Sequence, residues 1–167
     1  MVTPEADGPD PRLELAYDAI LTRLRAQNDY LVALRNRATG LLTIAALIAS
    51  FSSGLGLINT DRTKGPILPT WAPWSLLGTL VFIGIMVMSI LWPVSQWHYG
   101  PNAAVILEHR DMGRSENDIR EYVTKKLVAG RDVNQEALTR LANYFRAAVF
   151  AFTVEVTLLV IALATRA

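Results

Sequence analysis

The stretch Ala147–Thr165, AAVFAFTVEVTLLVIALAT, decides how the rest of the chain must fold. A helix needs roughly 20 apolar residues to cross a bilayer core, so this stretch is about long enough to span a membrane. Its one ionisable side chain, Glu155, lies near the centre, where a charged group costs about 2.5 kcal/mol or more. Such a side chain faces a bundle interior or a wet cavity instead of lipid, so the stretch requires partner helices.

The composition indicates a membrane protein without cysteine chemistry. Of the 167 residues, 51% are hydrophobic, and they gather into three runs instead of spreading evenly as in a soluble core. The net charge of +1 gives no basic field for nucleic acid, which we exclude as a partner. The sequence contains no cysteine, which excludes disulfides, thiol catalysis and cysteine-ligated zinc.

Two further apolar runs, 38–58 and 74–92, predict the partner helices. In the first run small residues recur every four positions, which lets helix backbones approach closely: Ala46, Ser50 and Gly54, and beside them Ala45, Ala49 and Ser53. We expect the Ala46, Ser50 and Gly54 face to pack helices together in a homo-oligomer. Aromatic and basic residues mark the membrane interfaces, and the expected interface anchors are Trp74, Trp92, Trp97 and Arg37.

The N-terminal segment predicts a polar tail followed by an amphipathic helix. Residues 1–10 are polar and acidic, which is typical of disorder. Residues 11–37 predict a helix that begins at Pro11, with Asp10 as its N-cap. Its apolar residues follow a heptad spacing with one polar member, Gln27. This seam packs either on the chain's own helical portion, which we favour, or on a second protomer.

The segment between the second and third spans predicts three helices, at 101–112, 115–129 and 133–146. Gly113 and Gly130 are interpreted as helix ends, and Ser115 with Asp118 forms a box-like start. Asp132 is interpreted as the cap of the last of the three. No breaker separates that helix from 147–165, so the two are expected to be continuous. The predicted fold class is an all-α membrane protein with three transmembrane helices and a helical cytosolic portion.

The distribution of Lys and Arg predicts the orientation. Thirteen of these residues lie in 1–37 and 94–146, and three lie elsewhere. Under the positive-inside rule, the N-terminus and the long loop are cytoplasmic and the C-terminus is outside. The 13 Arg against 3 Lys, with the many Ala and Val, favour a high-GC bacterial source, so the predicted location is a bacterial cell membrane, with the lipid bilayer itself as a partner.

No catalytic, cofactor or metal constellation is evident, so the chain is predicted not to be an enzyme. The intramembrane polar candidates are Glu155, Ser50 and Thr43. One interpretation makes Glu155 a proton-sensitive or pore-lining carboxyl group, because intramembrane acids are functional candidates by default. Another makes it a neutral acid that hydrogen-bonds to a facing helix, with Ser50 as the hydroxyl closest in depth. A third pairs it with Glu155 of a second protomer.

The order of these parts resembles a known plan. The run LRNRATGLLTIAALIASF, a second span that ends in LWP, and the final helix NQEALTRLANYFRAAVFAFTVEV resemble small actinomycete-type integral membrane proteins of bacteria. The plan is also similar to the transmembrane effectors of cyclic-pyrimidine (Pycsar) anti-phage systems and to SLATT-type effectors. The resemblance rests on the Arg37-Ala38 pair, Asn134 and Glu155. It implies a membrane-disrupting effector that is switched on by a nucleotide second messenger or a cyclase-linked partner.

The predicted fold and the resemblance favour two classes of function. The first is a non-enzymatic membrane effector or pore-forming module of an antiviral defence system, assembled as a homo-oligomer. The alternative is a membrane anchor or accessory subunit for a soluble partner or for plasmid-transfer machinery. A proton-coupled transporter is disfavoured because three short spans hold one acid and no pair of broken helices.

Overall fold

The structure, a computed structural model, describes residues 8, 10–58 and 72–164, and the secondary-structure elements within these ranges are all helices. The helices are α1 (Pro11–Ile58), α2 (Ala72–Leu91), α3 (Ala103–Asp111) and α4 (Glu116–Ala164). Three of them, α1, α2 and α4, contain stretches that are long and apolar enough to cross a membrane. The all-helical fold class with three such helices is confirmed. Most of the predicted tail 1–10, the connection 59–71 and residues 165–167 lie outside the described residues.

The predicted helix starts are largely confirmed by their caps. Asp10 caps α1, because its Oδ1 atom accepts a hydrogen bond from the Arg12 N–H at 2.9 Å. At the start of α4, the Asp118 N–H donates to Ser115 Oγ at 3.2 Å. Helix α3 begins two residues later than predicted, because Asn102 is its N-cap and accepts from the Ala104 N–H at 3.0 Å.

The glycine that ends α3 adopts the conformation that a helix stop requires. Gly113 has a φ of 72°, in the left-handed region that favours glycine. Its N–H donates to the Arg110 carbonyl at 2.9 Å, and the Arg114 N–H donates to the His109 carbonyl at 3.3 Å. These two bonds form a Schellman motif and satisfy the last carbonyl groups of α3.

The predicted break between 129 and 133 is wrong, because α4 continues without interruption from Glu116 to Ala164. Gly130 lies inside this helix, and Asp132 does not cap a new one. The cost of a glycine within a helix is about 1 kcal/mol, which packing contacts can offset. The amphipathic helix 11–37 and the span 38–58 likewise form one helix, α1.

The chain divides into two compact units, and α1 and α4 contribute residues to both. Unit 1 consists of Met1–Leu31 and Val94–Thr139, and unit 2 consists of Val32–Pro93 and Arg140–Ala167. In unit 1, α1 and α4 pack through an apolar cluster of Ile20, Leu24, Val123 and Leu127. Two polar contacts fix their parallel direction: the Asp10 N–H donates to Asn117 Oδ1 at 3.1 Å, and Glu14 lies 3.7 Å from Arg120. The amphipathic helix therefore packs on the chain's own helical portion, the favoured alternative.

The buried positions of the two long helices follow the same heptad spacing. Each buried residue of α1 listed below can be paired with a buried residue of α4, and the two members of every pair are separated by the same number of residues along the chain. The α1 members are Ile20, Leu24, Gln27, Leu31, Leu34, Ala38, Ala45 and Ser52, and the α4 members are Val123, Leu127, Gly130, Asn134, Ala137, Leu141, Ala148 and Glu155. The predicted seam of α1 thus does not end at Leu34 but continues into the apolar run.

Unit 2 has an apolar exterior. Its buried residues include Ile83, Val87 and Ile90 of α2, in addition to the seam residues of α1 and α4. Large apolar side chains cover its outside, among them Phe51 at 74% exposure and Phe150 at 72%. Exposed apolar surface on this scale is typical of contact with lipid or another protein, and not of contact with water.

Candidate functional site

Glu155 is a buried acid of unit 2. Its side chain lies on the seam of α4, on the same side of the helix as Leu141 and Ala148, and is only 3% exposed. Both of its carboxyl oxygen atoms are buried and have no hydrogen-bond partner among the described residues. A buried carboxyl group normally has such partners, because leaving one unpaired is costly. The group can carry a proton, bind a cation or share a hydrogen with a second carboxyl group.

The hydrogen bond expected from Ser50 to Glu155 is not formed. The Ser50 side chain is exposed, and its hydroxyl group donates to the Ala46 carbonyl of its own helix at 2.8 Å. Thr43 is also exposed and donates to the Thr39 carbonyl at 3.0 Å. Serine and threonine hydroxyls often bond to the carbonyl four residues earlier in a helix, which satisfies them locally. Neither predicted hydroxyl is therefore a partner of the acid.

A different hydroxyl group lies at the seam position of α1 that corresponds to Glu155 in α4. Ser52 is the α1 counterpart of Glu155 in the heptad pattern and is 5% exposed. Its hydroxyl group donates to the Ile48 carbonyl at 2.8 Å, and no hydrogen bond joins it to Glu155. Among the described residues of unit 2, these two are the buried polar ones, so an acid and a hydroxyl group lie within a core whose other described members are apolar.

The predicted small-residue face points away from the packed interior of the chain. Ala46 and Ser50 are exposed, whereas Ala38 and Ala45 on the neighbouring side are fully buried. Gly54 lies outside the residues whose side-chain surroundings are described. The face is thus open on a single chain, and its role in an oligomer stays a prediction.

The guanidinium group of Arg35 donates hydrogen bonds to carbonyl groups at the C-terminal end of α2. Arg35 donates from Nε to the Ile90 carbonyl at 3.4 Å and from Nη2 to the Trp92 carbonyl at 3.3 Å. These carbonyl groups end the helix and cannot be satisfied by Pro93, which has no N–H. A positive charge at a helix C-terminus is also favourable for the helix dipole. Arg35 therefore joins α1 to the end of α2 within unit 2.

The predicted interface residues have different surroundings. Trp74 and Trp92 are 77% and 69% exposed, and Arg37 is exposed as well. Trp97 belongs to unit 1 and is half-buried, with its ring 6.5 Å from the ring of Tyr99 in an edge-on arrangement. The role of all four at a membrane interface stays a prediction.

Two polar contacts in unit 1 lie on the seams. Gln27, 5% exposed, donates from Nε2 to the Arg131 carbonyl at 3.1 Å and to Gln135 Oε1 at 3.2 Å. A polar residue on an apolar seam can fix the register of the two helices, because a shift would break these bonds. Gln27 therefore performs this role between α1 and α4 of one chain.

The second contact clamps the segment before α3 onto α4. Asn134 is fully buried; its Oδ1 atom accepts from the His98 N–H at 3.0 Å, and its Nδ2 atom donates to the His98 carbonyl at 2.8 Å. One turn earlier, a Cβ atom added to Gly130 would lie 2.9 Å from His98 Cγ. Gly130 is therefore not a helix end. Because it lacks a side chain, it leaves a space, here called the notch, in which the His98 side chain packs against α4.

No protein-family model matches the chain, and comparison with curated proteins and with solved structures finds no match.

Sequence reasoning missed Ser52, Gly130 and the clamp at His98, and the first of these had a signal. Continuing the heptad of Leu31 by steps of seven leads through Ala38 and Ala45 to Ser52, so the hydroxyl on the seam was predictable. Gly130 and His98 carry no such signal, because their contact joins segments that are distant in sequence.

Proposed function

We propose that the chain is a non-enzymatic, multi-pass protein of a bacterial cell membrane that assembles into a homo-oligomer and makes the membrane permeable when triggered. Its N-terminus is cytoplasmic and its C-terminus lies outside, as the Lys and Arg distribution predicts. The proposal belongs to the class of antiviral membrane effectors or pore-forming modules, which the order of the helices resembles. The trigger is a nucleotide second messenger or a cyclase-linked partner.

The observation that carries the proposal is Glu155, a buried acid in an apolar helix with no partner for either oxygen atom. A bundle that only anchors a protein gains nothing from such a group, whereas intramembrane acids mark paths of ions and protons. An ionised carboxylate left unpaired in an apolar core costs several kcal/mol. The group therefore needs a proton, a cation or a second carboxyl group, and each of these links it to transport of charge or to assembly.

The exposed face of α1 supports assembly. Ala46 and Ser50 present small side chains on the outside of unit 2, where a second copy can approach closely. The hydroxyl of Ser50 already has its carbonyl partner, so burying this face leaves no polar group unsatisfied. The unit 1 helices lie outside the apolar stretches and are the part available to receive a soluble trigger.

A leakage assay tests the proposal. The full chain is reconstituted at high density, so that assembly does not depend on the trigger, into vesicles that contain a fluorescent dye. Dye release is compared among wild type, Glu155→Gln, Ser50→Leu and Glu121→Gln. Glu155→Gln preserves the shape of the side chain but removes its acid, and Ser50→Leu makes the small face bulky. Glu121→Gln is the matched control, because it removes an exposed acid that pairs with Lys125 in unit 1.

We expect wild type and Glu121→Gln to release dye to the same extent, and both other variants to release far less. A hydrophobic carbodiimide should label the wild-type chain and block release, and Glu155→Gln should lose this labelling. Equal release by wild type and Glu155→Gln would contradict the role of the acid. Intact vesicles with every variant, together with capture of one stoichiometric soluble partner, would favour the membrane-anchor alternative instead.

A further inference from the structure

Six cations lie along α4, and five of them fall into two groups; the sixth, Lys126, lies over the ring of Tyr122. The first group, Arg120, Lys125 and Arg131, forms ion pairs with nearby acids. The second group, Arg140 and Arg146, is exposed and forms no ion pair with any described residue. Glu136 lies four residues before Arg140 but forms no ion pair with it, and no acid occurs between Glu136 and Glu155 to pair with Arg146. Two unpaired guanidinium groups thus lie directly before the apolar part of α4.

These cations share one side of the helix with an amide and a row of exposed apolar side chains. Arg140, Asn143 and Arg146 follow at steps of three residues, which places them on the same side. Arg146 Nη1 donates to Asn143 Oδ1 at 3.2 Å, which leaves the amide N–H groups of Asn143 free to donate elsewhere. Further along this side, Phe150 is 72% exposed and Val154 is 41% exposed.

We propose that this side of α4 binds an anionic phospholipid. Arg140 and Arg146 hold the phosphodiester group, the Asn143 amide donates a further hydrogen bond to it, and an acyl chain lies along Phe150 and Val154. The two arginines are about 9 Å apart along the helix, and their long side chains can converge on one phosphate. Guanidinium groups match the geometry of phosphate oxygen atoms and bind them by charge-assisted hydrogen bonds.

The apolar row decides between a lipid and a soluble anion. A free phosphate would use the two cations but would gain nothing from Phe150 and Val154. A phospholipid uses both parts, and it meets them in the same order as its own headgroup and acyl chains. The inference rests on α4 crossing a membrane and not on the permeabilising function, so a leakage assay and a lipid-binding assay can fail independently.

Native mass spectrometry of the full chain in detergent tests the inference. The protein is titrated with phosphatidylglycerol or, separately, with phosphatidylcholine, and the lipids retained per chain are counted. The variants are Arg140→Gln/Arg146→Gln and the charge-preserving Arg140→Lys/Arg146→Lys. The matched control is Arg23→Gln/Arg25→Gln, which removes two exposed, unpaired arginines of α1 that lie in unit 1, outside the apolar stretch.

We expect wild type and the Arg23→Gln/Arg25→Gln control to retain phosphatidylglycerol in preference to phosphatidylcholine. The glutamine double variant of Arg140 and Arg146 should lose about tenfold or more in affinity, because it removes charge-assisted bonds. The lysine double variant keeps the charge but not the guanidinium geometry, so it should bind more tightly than the glutamine variant and less tightly than wild type, which separates a lost site from a misfolded chain.

Three outcomes would overturn the inference. Equal retention of both lipids by wild type would show that the headgroup charge is not recognised. An equal loss in the Arg23→Gln/Arg25→Gln control would show a general effect of charge. Displacement of the lipid by millimolar inorganic phosphate, with no dependence on acyl chains, would assign the site to a soluble anion.

Discussion

Replacing Gly130 by alanine tests whether the notch for His98 determines the stability of unit 1. Alanine is favoured over glycine within a helix by about 1 kcal/mol, so the change alone would stabilise α4. Its Cβ atom, however, would lie 2.9 Å from His98 Cγ and 3.0 Å from His98 Cβ. The two hydrogen bonds between the Asn134 side chain and the His98 backbone hold that backbone in place, so the ring cannot simply move away.

The expected effect follows from these opposing contributions. Overpacking a well-packed site costs about 1–3 kcal/mol, and the helical preference for alanine offsets about 1 kcal/mol of it. We therefore expect Gly130→Ala to destabilise the protein by about 1 kcal/mol, which lowers the unfolding midpoint by about 2–4 °C in a chain of this size. In a His98→Gly background the clash is absent, and the same substitution should stabilise by about 1 kcal/mol.

The assay is thermal unfolding of the full chain in detergent micelles, followed by circular dichroism. The four chains of the double-mutant cycle give a coupling free energy of about 2 kcal/mol, within the range found for residues in contact. Gly40→Ala is the matched control, because a Cβ atom there meets no atom within 4 Å. A stabilising effect of Gly130→Ala that is the same with and without His98 would refute the reasoning.

Three further substitutions test individual contacts by the same unfolding assay. Asn134→Ala should destabilise by about 2–3 kcal/mol, because the N–H and carbonyl groups of His98 lose their partners; a change below about 0.5 kcal/mol would mean that the clamp does not form. Ser115→Ala removes an N-cap and should cost about 1 kcal/mol, and an unchanged midpoint would argue against the cap. Arg35→Ala should cost about 1 kcal/mol through the carbonyl groups at the end of α2, whereas the exposed Arg25→Ala should have no effect.

Local signals in the sequence predicted those features that depend on neighbouring residues. The caps at Asp10 and Ser115 and the stop at Gly113 are confirmed, because a cap satisfies backbone groups within a few residues of itself. The three apolar runs are confirmed as helices for the same reason, since their length and composition are local properties. The helices 101–112 and 74–92 shift by only one or two residues at their ends, as helix termini usually do.

The failures arise where contacts distant in sequence override local preference. Gly130 has the local character of a helix stop, but α4 continues through it, and the missing side chain leaves the space that His98 occupies. The partner of Glu155 was sought by counting depth from the middle of a span, which selected Ser50. Ser50 is exposed, whereas Ser52 is the buried hydroxyl of the seam, since the side of a helix that a residue occupies matters as much as its depth; Ser52 also forms no hydrogen bond with Glu155.

The unbroken seam of α1 also constrains how the chain can change in length. A single residue inserted between Leu31 and Ala38 would turn every later position of α1 by about 100° about the helix axis. Ala45 and Ser52 would then lose their buried side, while an insertion of seven residues would restore it. Homologous chains should therefore differ in the length of this helix by whole heptads, and the same rule should hold for α4 between Asn134 and Glu155. The lengths of α1 and α4 in related chains, together with residue identity, would then indicate which positions are buried.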